Sequence, residues 1–431
     1  MLHTNLSVNE RGHLTLCGAD TAELAKKYGT PLYLLDETRI REKCRTYQHA
    51  MKTYFSSQSK PLYASKALSF LGVYRLAKEE GMAVDVVSAG ELYIALKAGM
   101  DPGNIYFHGN AKTVSDIRYA MDAGIGYFVA DNETELRRIS EYAVERGTRQ
   151  HVLLRLTPGI DPHTFDAVNT GKVDSKFGVA IETGQAKELF LRARALPGIL
   201  VDGFHCHIGS QIFDEKPFCD AADRMMGFLV MLRDELGYTA SVLNLGGGIG
   251  VRYVESDPYI DIDHTLKLVG EHLHRICEET DFPMPQILME PGRSLVADAG
   301  VTLYEVQNIK TITGYKSYVS IDGGMTDNPR YALYRSRYTV MLANRANDSA
   351  DFLCTVAGRC CESGDLIGED LMLPKPAEGD ILAVLVTGAY NYAMASNYNC
   401  ITKLPIVMIA DGEDRLAVRR ETYDDMISCQ L

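Results

Sequence analysis

Long apolar runs are missing from this chain. No segment approaches about 18 consecutive apolar residues, so nothing in it reads as a membrane-spanning helix. A basic stripe is missing too: 44 Lys and Arg stand against 57 Asp and Glu, a formal net charge of -13. No Lys/Arg cluster is long enough to follow a nucleic-acid backbone. Acidity of this kind favours solubility and names no substrate. Residues Met1 to Glu10 have neither a basic leader nor the apolar stretch of a signal peptide, so a cytoplasmic location is expected. The 10 cysteines lack paired spacing and no Cys-x-x-Cys occurs, which argues against a disulfide framework and a structural zinc site. Internal repeats and low-complexity tracts are absent as well.

What is present is ordinary globular material, 46% hydrophobic and 23% charged, in 431 residues. That length suits two domains, or one large barrel with an appendage. Short strands and a small helix are expected from Leu2 to Asp36. From about residue 39, apolar strand-like runs alternate with stretches of helical periodicity. The strands are read at Leu62 to Ala64, Ala83 to Val87, Ile105 to His108, Tyr127 to Ala130, His151 to Leu156, Leu200 to His207, Val242 to Leu245 and Gln286 to Glu290. Eight strands joined by helical crossovers predict an α/β (β/α)8 barrel of the TIM type over residues 39–304. Beyond it the runs at Val301 to Thr311, Ser317 to Ser320, Tyr338 to Leu342, Phe352 to Ala357, Ile381 to Val386 and Leu404 to Ile409 predict an all-β sandwich or barrel. That second domain is expected to combine residues 1–38, with their strands, and 305–431. The polar stretch Gly159 to Ser175 is the expected mobile loop.

The unusual residues fall at the carboxyl ends of the predicted strands, where barrels build active sites. Lys66 ends the first, in Pro61-Leu62-Tyr63-Ala64-Ser65-Lys66-Ala67. Alone, it is most simply a solvated turn residue; at a barrel rim it can instead form a Schiff base with a carbonyl compound. The seventh strand opens into Gly246-Gly247-Gly248-Ile249-Gly250. The spacing fails the dinucleotide fingerprint, because the last required glycine is Val251. The loop suits a phosphate cradle or merely a tight turn. His205 and His207, at i and i+2, could ligate a metal, but only His108 and Asp131 offer themselves at other strand ends, so no metal is expected. A histidine there could stack on a flat ring instead. Glu290-Pro291-Gly292-Arg293 is either a local ion pair or a carboxylate for a pyridine nitrogen beside a guanidinium fork.

An amine, a phosphate cradle, a ring-stacking histidine and a carboxylate for a pyridinium together describe pyridoxal 5'-phosphate. From about residue 30 to residue 402 the chain resembles the diaminopimelate decarboxylases, within the alanine racemase-like (fold type III) pyridoxal-phosphate enzymes. The resemblance rests on Tyr63 to Ala67, His207 to Gln211, Gly246 to Gly248, Asp327-Asn328-Pro329-Arg330 through Tyr334, Cys361-Glu362-Ser363-Gly364-Asp365 and Gly388-Ala389-Tyr390. It implies that Lys66 carries the cofactor, His207 stacks on its ring, Ser210 and Gly246, Gly247 and Gly248 hold its phosphate, and Glu290 meets its ring nitrogen. Gly292, Arg293 and Tyr390 would also contact the cofactor. Arg293, Arg330, Tyr334, Glu362 and Tyr390 would bind substrate, with Cys361 as proton donor.

The implied reaction is decarboxylation of meso-2,6-diaminopimelate at its D-centre to L-lysine, by a homodimer whose Cys361 and Glu362 reach the neighbouring subunit. Two arginines left facing a plain methylene chain would be buried unpaired at a cost of several kcal/mol, which disfavours ornithine or lysine as substrate. A decarboxylase for another D-amino acid or a carboxylated polyamine, a racemase, and a non-catalytic cofactor-binding barrel remain open.

Overall fold

The computed structural model describes residues 1–160 and 175–431. Most of the stretch Gly159 to Ser175, singled out above, lies outside the described residues. The chain divides into two compact units, one of Lys43–Gly250 with Tyr259–Ser294, the other of Met1–Glu42, Val251–Pro258 and Leu295–Leu431.

In the first unit eight parallel strands close on themselves: Lys60–Ala64, Ala83–Val86, Ile105–Phe107, Tyr127–Ala130, Gln150–Thr157, Ile199–His205, Val242–Asn244 and Gln286–Met289. Closure is made by Leu288 and Met289 of the eighth strand lying opposite Lys60 and Pro61 of the first. Strands covered on both faces need continuous apolar sequence. The first reads Pro61-Leu62-Tyr63-Ala64, all buried. Helices begin where the loops supply caps: Ser88 accepts from Glu91 N, Thr113 forms a reciprocal capping box with Asp116, and Asn132 accepts from Glu135 N. Ser88, two residues past the second strand, is thus a helix cap.

Seven of the eight strands give one residue each to a single buried cluster, Leu62, Ala83, Tyr106, Val129, Leu153, Val242 and Leu288. Residues from strands all around a closed barrel can meet in one cluster only inside it. The sixth strand contributes Gly203 at that level, where its register shifts and a Cβ would run into the Val242 carbonyl. This layer is the barrel floor.

In the second unit, Leu6–Val8, Leu14–Leu16 and Ala19–Asp20 form a small antiparallel sheet. A larger mixed sheet centres on the 13-residue strand Gly300–Ile312. Its buried first half pairs with Leu32–Asp36 on one side and Ile381–Leu385 on the other. The N-terminal strand Leu32–Asp36 therefore joins the C-terminal sheet, as expected. Two strands, Leu366–Leu373 and Glu413–Val418, were not anticipated. Both carry charged, partly exposed residues, so neither shows the apolar run that marks a buried strand. No described helix is long and apolar enough to cross a membrane.

Candidate active site

Side chains on a strand alternate, so the residue two beyond each floor position points into the same interior. Two beyond the floor stand Asp85, His108, Asp131, Arg155, His205, Asn244 and Glu290, every one buried. A polar layer thus sits directly on an apolar one at the carboxyl end of the barrel. Only its burial makes it unusual, since unpaired polar groups there are costly.

Glu290 is the best-contacted member. Its Oε1 accepts from Asn244 Nδ2 at 2.7 Å and lies 2.8 Å from His108 Nε2; its Oε2 lies 3.1 Å from His205 Nε2. Burial alone would raise the Glu290 carboxyl, but the two imidazoles outweigh it and hold it well below the ordinary carboxylate range. Burial also lowers His205 to about 4, against the opposing pull of Glu290, so His205 is neutral near pH 7 and donates through Nε2. Asp85, 3.9 Å from His108 Nε2, is raised by burial although His108 opposes the shift.

Lys66 lies exposed in the turn Ser65–Ala67 that follows the first strand. The turn is tied to the barrel by Ser65 Oγ, which donates to Asp85 O at 2.7 Å, and by Ala64 N, which donates to Pro291 O at 3.0 Å. Gly292 packs beside it, where a Cβ would lie 3.1 Å from Ala64 Cβ and 3.2 Å from Ala67 Cβ.

His205 and His207 part company. The strand ends at His205, so the alternation that would align them lapses, and His207 instead accepts from Gly247 N at Nδ1, 3.2 Å away. Burial, then the charges of Lys66 and Arg155, push the His207 imidazolium well below its usual range. A neutral ring beside Lys66 suits stacking.

The glycine loop is glycine by necessity. Gly246 has φ 71° and Gly248 φ 125°, and a Cβ on Gly247 would run into the Glu290 carbonyl. Gly246 N and Gly247 N donate to Asn244 Oδ1 and His207 Nδ1, leaving Gly248 as the remaining amide of the triplet among the described residues. Near the eighth strand's end, buried Arg293 donates from Nε to Ser210 Oγ at 3.1 Å.

The second unit gathers another group of the predicted residues. The buried Arg330 guanidinium lies 5.4 Å from the Tyr334 ring centre and 5.6 Å from that of Tyr390. Among the described residues its Nε has no hydrogen-bond partner, while Nη2 donates weakly to Ser336 Oγ at 3.3 Å. Cys361 and Glu362 lie exposed in a loop; Cys361 N donates to Asn399 Oδ1 at 2.7 Å and Glu362 Oε1 accepts from Gly364 N at 3.3 Å.

Two carboxylates that stand in the sequence motifs without an assigned role shape these loops. Asp365 accepts from Met325 N at 2.6 Å and Cys360 N at 2.7 Å, joining the segment before Arg330 to the one that carries Cys361. Asp327 accepts from Tyr304 OH at 2.7 Å and Gly324 N at 3.2 Å, and burial raises it to about 6. In the barrel, Asp85 and Asn244 were overlooked, and His108 and His205 were weighed only as metal ligands. The signal available was a polar residue two places beyond the floor position in seven of the eight strands, the first having Ala64 there.

The family described as pyridoxal-dependent decarboxylase, pyridoxal binding domain, matches residues 37–297. A diaminopimelate decarboxylase of Halalkalibacterium halodurans is 44% identical over 429 residues, 100% of this chain and 98% of that one. One from Bacillus subtilis is 43% identical, again across 100% of this chain and 98% of its own. The crystal structure of the M. jannaschii diaminopimelate decarboxylase in complex with L-lysine superposes with a TM-score of 0.91 at 35% identity, covering 100% of this chain and 99% of that one. The barrel residues fit pyridoxal phosphate: a reachable amine at Lys66, a loop closed to side chains at Gly247, and a buried carboxylate at Glu290 held as an anion. The full-length match and the fit of these side chains agree: the chain belongs to the diaminopimelate decarboxylase family of pyridoxal-dependent decarboxylases.

Proposed function

We propose that this chain decarboxylates meso-2,6-diaminopimelate at its D-centre, giving L-lysine and carbon dioxide as the last step of lysine biosynthesis. The observation that carries the choice of substrate is Arg330, a buried arginine whose guanidinium is held near two tyrosine rings with its Nε unpartnered among the described residues. Such a group is a receptor for a carboxylate. Ornithine and lysine have no second carboxylate to offer. The lysine-bound neighbour from M. jannaschii is consistent with the product.

Bound pyridoxal phosphate supplies the electron sink for the pair left behind when carbon dioxide departs. The chain's own residues do the rest. Lys66 holds the cofactor through its amine, Glu290 keeps a proton at the ring nitrogen, and neutral His207 covers the ring face. Gly248, Ser210 and Arg293 serve the phosphate end, with Gly246, Gly247 and Gly292 giving the backbone room. Arg330, Tyr334 and Tyr390 orient the substrate's distal carboxylate, Glu362 its distal ammonium, and Cys361 Sγ delivers the proton that replaces the lost carboxylate.

A homodimer in which Cys361 and Glu362 serve the neighbouring subunit, and a cytoplasmic location, belong to the same proposal. Mixing Lys66→Ala and Cys361→Ala subunits should then restore activity in hybrid dimers, whereas a self-contained subunit would give none.

Carbon dioxide release from meso-diaminopimelate, ornithine, lysine and arginine tests the substrate. Release from diaminopimelate alone is expected; equal or faster release from ornithine or lysine overturns the assignment. Borohydride reduction should fix the cofactor on Lys66, and a label found elsewhere would sink its role.

A further inference from the structure

Among the described residues, Glu290 is the only acidic side chain in the polar layer whose two oxygens are both approached by donors from other strands, and the way they approach it is uneven. A carboxylate offers about four acceptor directions. Asn244 Nδ2 uses one on Oε1 at 2.7 Å, and His205 Nε2 uses one on Oε2 at 3.1 Å. His108 Nε2, on a buried residue, comes to 2.8 Å from Oε1 and is paired with it as an ion-pair neighbour rather than by a counted hydrogen bond among the described residues. Its other close neighbour is Asp85 Oδ1 at 3.9 Å, which has no hydrogen-bond partner among the described residues. Carboxylate oxygens only accept when ionised, so the proton of the imidazole belongs on Nε2, between the two acids. The rings of His108 and His205 meet edge to face with centres 4.9 Å apart, which fixes how each can turn. Nothing in the reading of Lys66, His207 or the glycine loop uses His108.

We propose that His108 is a positioning residue for Glu290, set between Asp85 and Glu290 to hold the Glu290 carboxylate as an anion against the cofactor's ring nitrogen. The inference rests on the reading of Glu290 as the partner of that nitrogen. With Asn244 and His205 it uses three of the four acceptor directions and leaves one, on Oε2, for the ring. An apolar residue in place of His108 would leave Asp85 and Glu290 as two buried carboxylates sharing one fewer donor, which favours a protonated Glu290 and weakens its hold on a pyridinium.

The test uses His108→Leu, His108→Gln and Glu290→Gln. Each protein is stripped of cofactor and titrated with pyridoxal phosphate, reading the dissociation constant and the absorbance of the bound ring at fixed neutral pH. Leucine removes the donor and glutamine keeps one. His108→Leu is expected to weaken cofactor binding by roughly tenfold or more, the loss of one hydrogen bond to a charged group, and to alter the absorbance band. His108→Gln should restore both most of the way. If His108→Leu does not fold, His108→Asn, polar but too short to reach Glu290, takes its place with the same expected loss. Wild-type affinity and spectrum in the donor-less variant overturn the proposal, as does a glutamine variant no better than leucine. Wild-type behaviour of Glu290→Gln would overturn the underlying reading of Glu290 and this inference with it; a damaged Glu290→Gln beside an unaffected His108→Leu overturns this inference alone.

Discussion

Replacing Arg330 by alanine is the sharpest perturbation of substrate choice. In the protein alone Arg330 is 7% exposed, and its guanidinium sits within 5.4 and 5.6 Å of two ring centres, has an Nε unpartnered among the described residues and makes one weak bond to Ser336. It is already desolvated, so a carboxylate arriving on it forms bonds that displace little water. Each charge-assisted bond is worth about 1.5–3 kcal/mol, and a bidentate pair therefore about 3–6 kcal/mol. At about 1.4 kcal/mol for each factor of ten, kcat/KM for diaminopimelate should fall by roughly 100-fold to 10,000-fold. Arg330→Lys keeps the charge without the planar fork and should lose less, on the order of tenfold. Steady-state release of carbon dioxide measures both. Cofactor absorbance should remain as in the unmodified enzyme, because no barrel residue is touched. A fall of less than about threefold in kcat/KM for the alanine variant would refute the carboxylate-receptor argument.

Two further outcomes follow from the geometry. Gly247→Ala places a Cβ against the Glu290 carbonyl; backbone cannot step aside cheaply, so the variant should lose cofactor affinity more than thermal stability of the cofactor-free protein, as an absorbance titration beside a melting curve would show. Asp327, raised by burial to about 6, lies above its unfolded value of about 3.9. The folded state therefore holds a proton there that the unfolded state has released, so stability is highest below about pH 4 as far as this group is concerned. It falls as pH rises to about 6, by on the order of 3 kcal/mol. Denaturant titrations at pH 4, 5, 6 and 7 should show that slope reduced in Asp327→Asn; an unchanged slope would show that Asp327 titrates normally.

The legibility of this protein in its sequence was uneven for reasons that can be named. Parallel strands covered on both faces are nearly pure apolar text, which is why all eight barrel strands could be located, including the short Ile105–Phe107 and Val242–Asn244. The strands Leu366–Leu373 and Glu413–Val418 escaped because strands with exposed positions mix charges among their apolar residues. Lys66 and the glycine loop were visible because each breaks a local rule, a cation at a strand end and three consecutive glycines, whereas Arg330 was named only through the resemblance over Asp327 to Tyr334. The pairing of His205 with His207 misled, because the strand ends at the first of them and the second turns to Gly247.

By itself the sequence determined where the eight barrel strands lie, which residues have the chemistry for a cofactor, and that the loop Gly246 to Gly248 either turns tightly or cradles an anion. All of these are properties of residues near one another in the chain. Only the tertiary structure decided that Asp85, His108, Asn244, His205 and Glu290, from five strands, form one layer above one floor. It alone gave Glu290 its anionic state, since that depends on which imidazoles closing the barrel brings within 3.1 Å of a buried carboxylate. Local patterns are fixed by backbone periodicity, whereas a charge in a dry interior is set by neighbours far away in sequence.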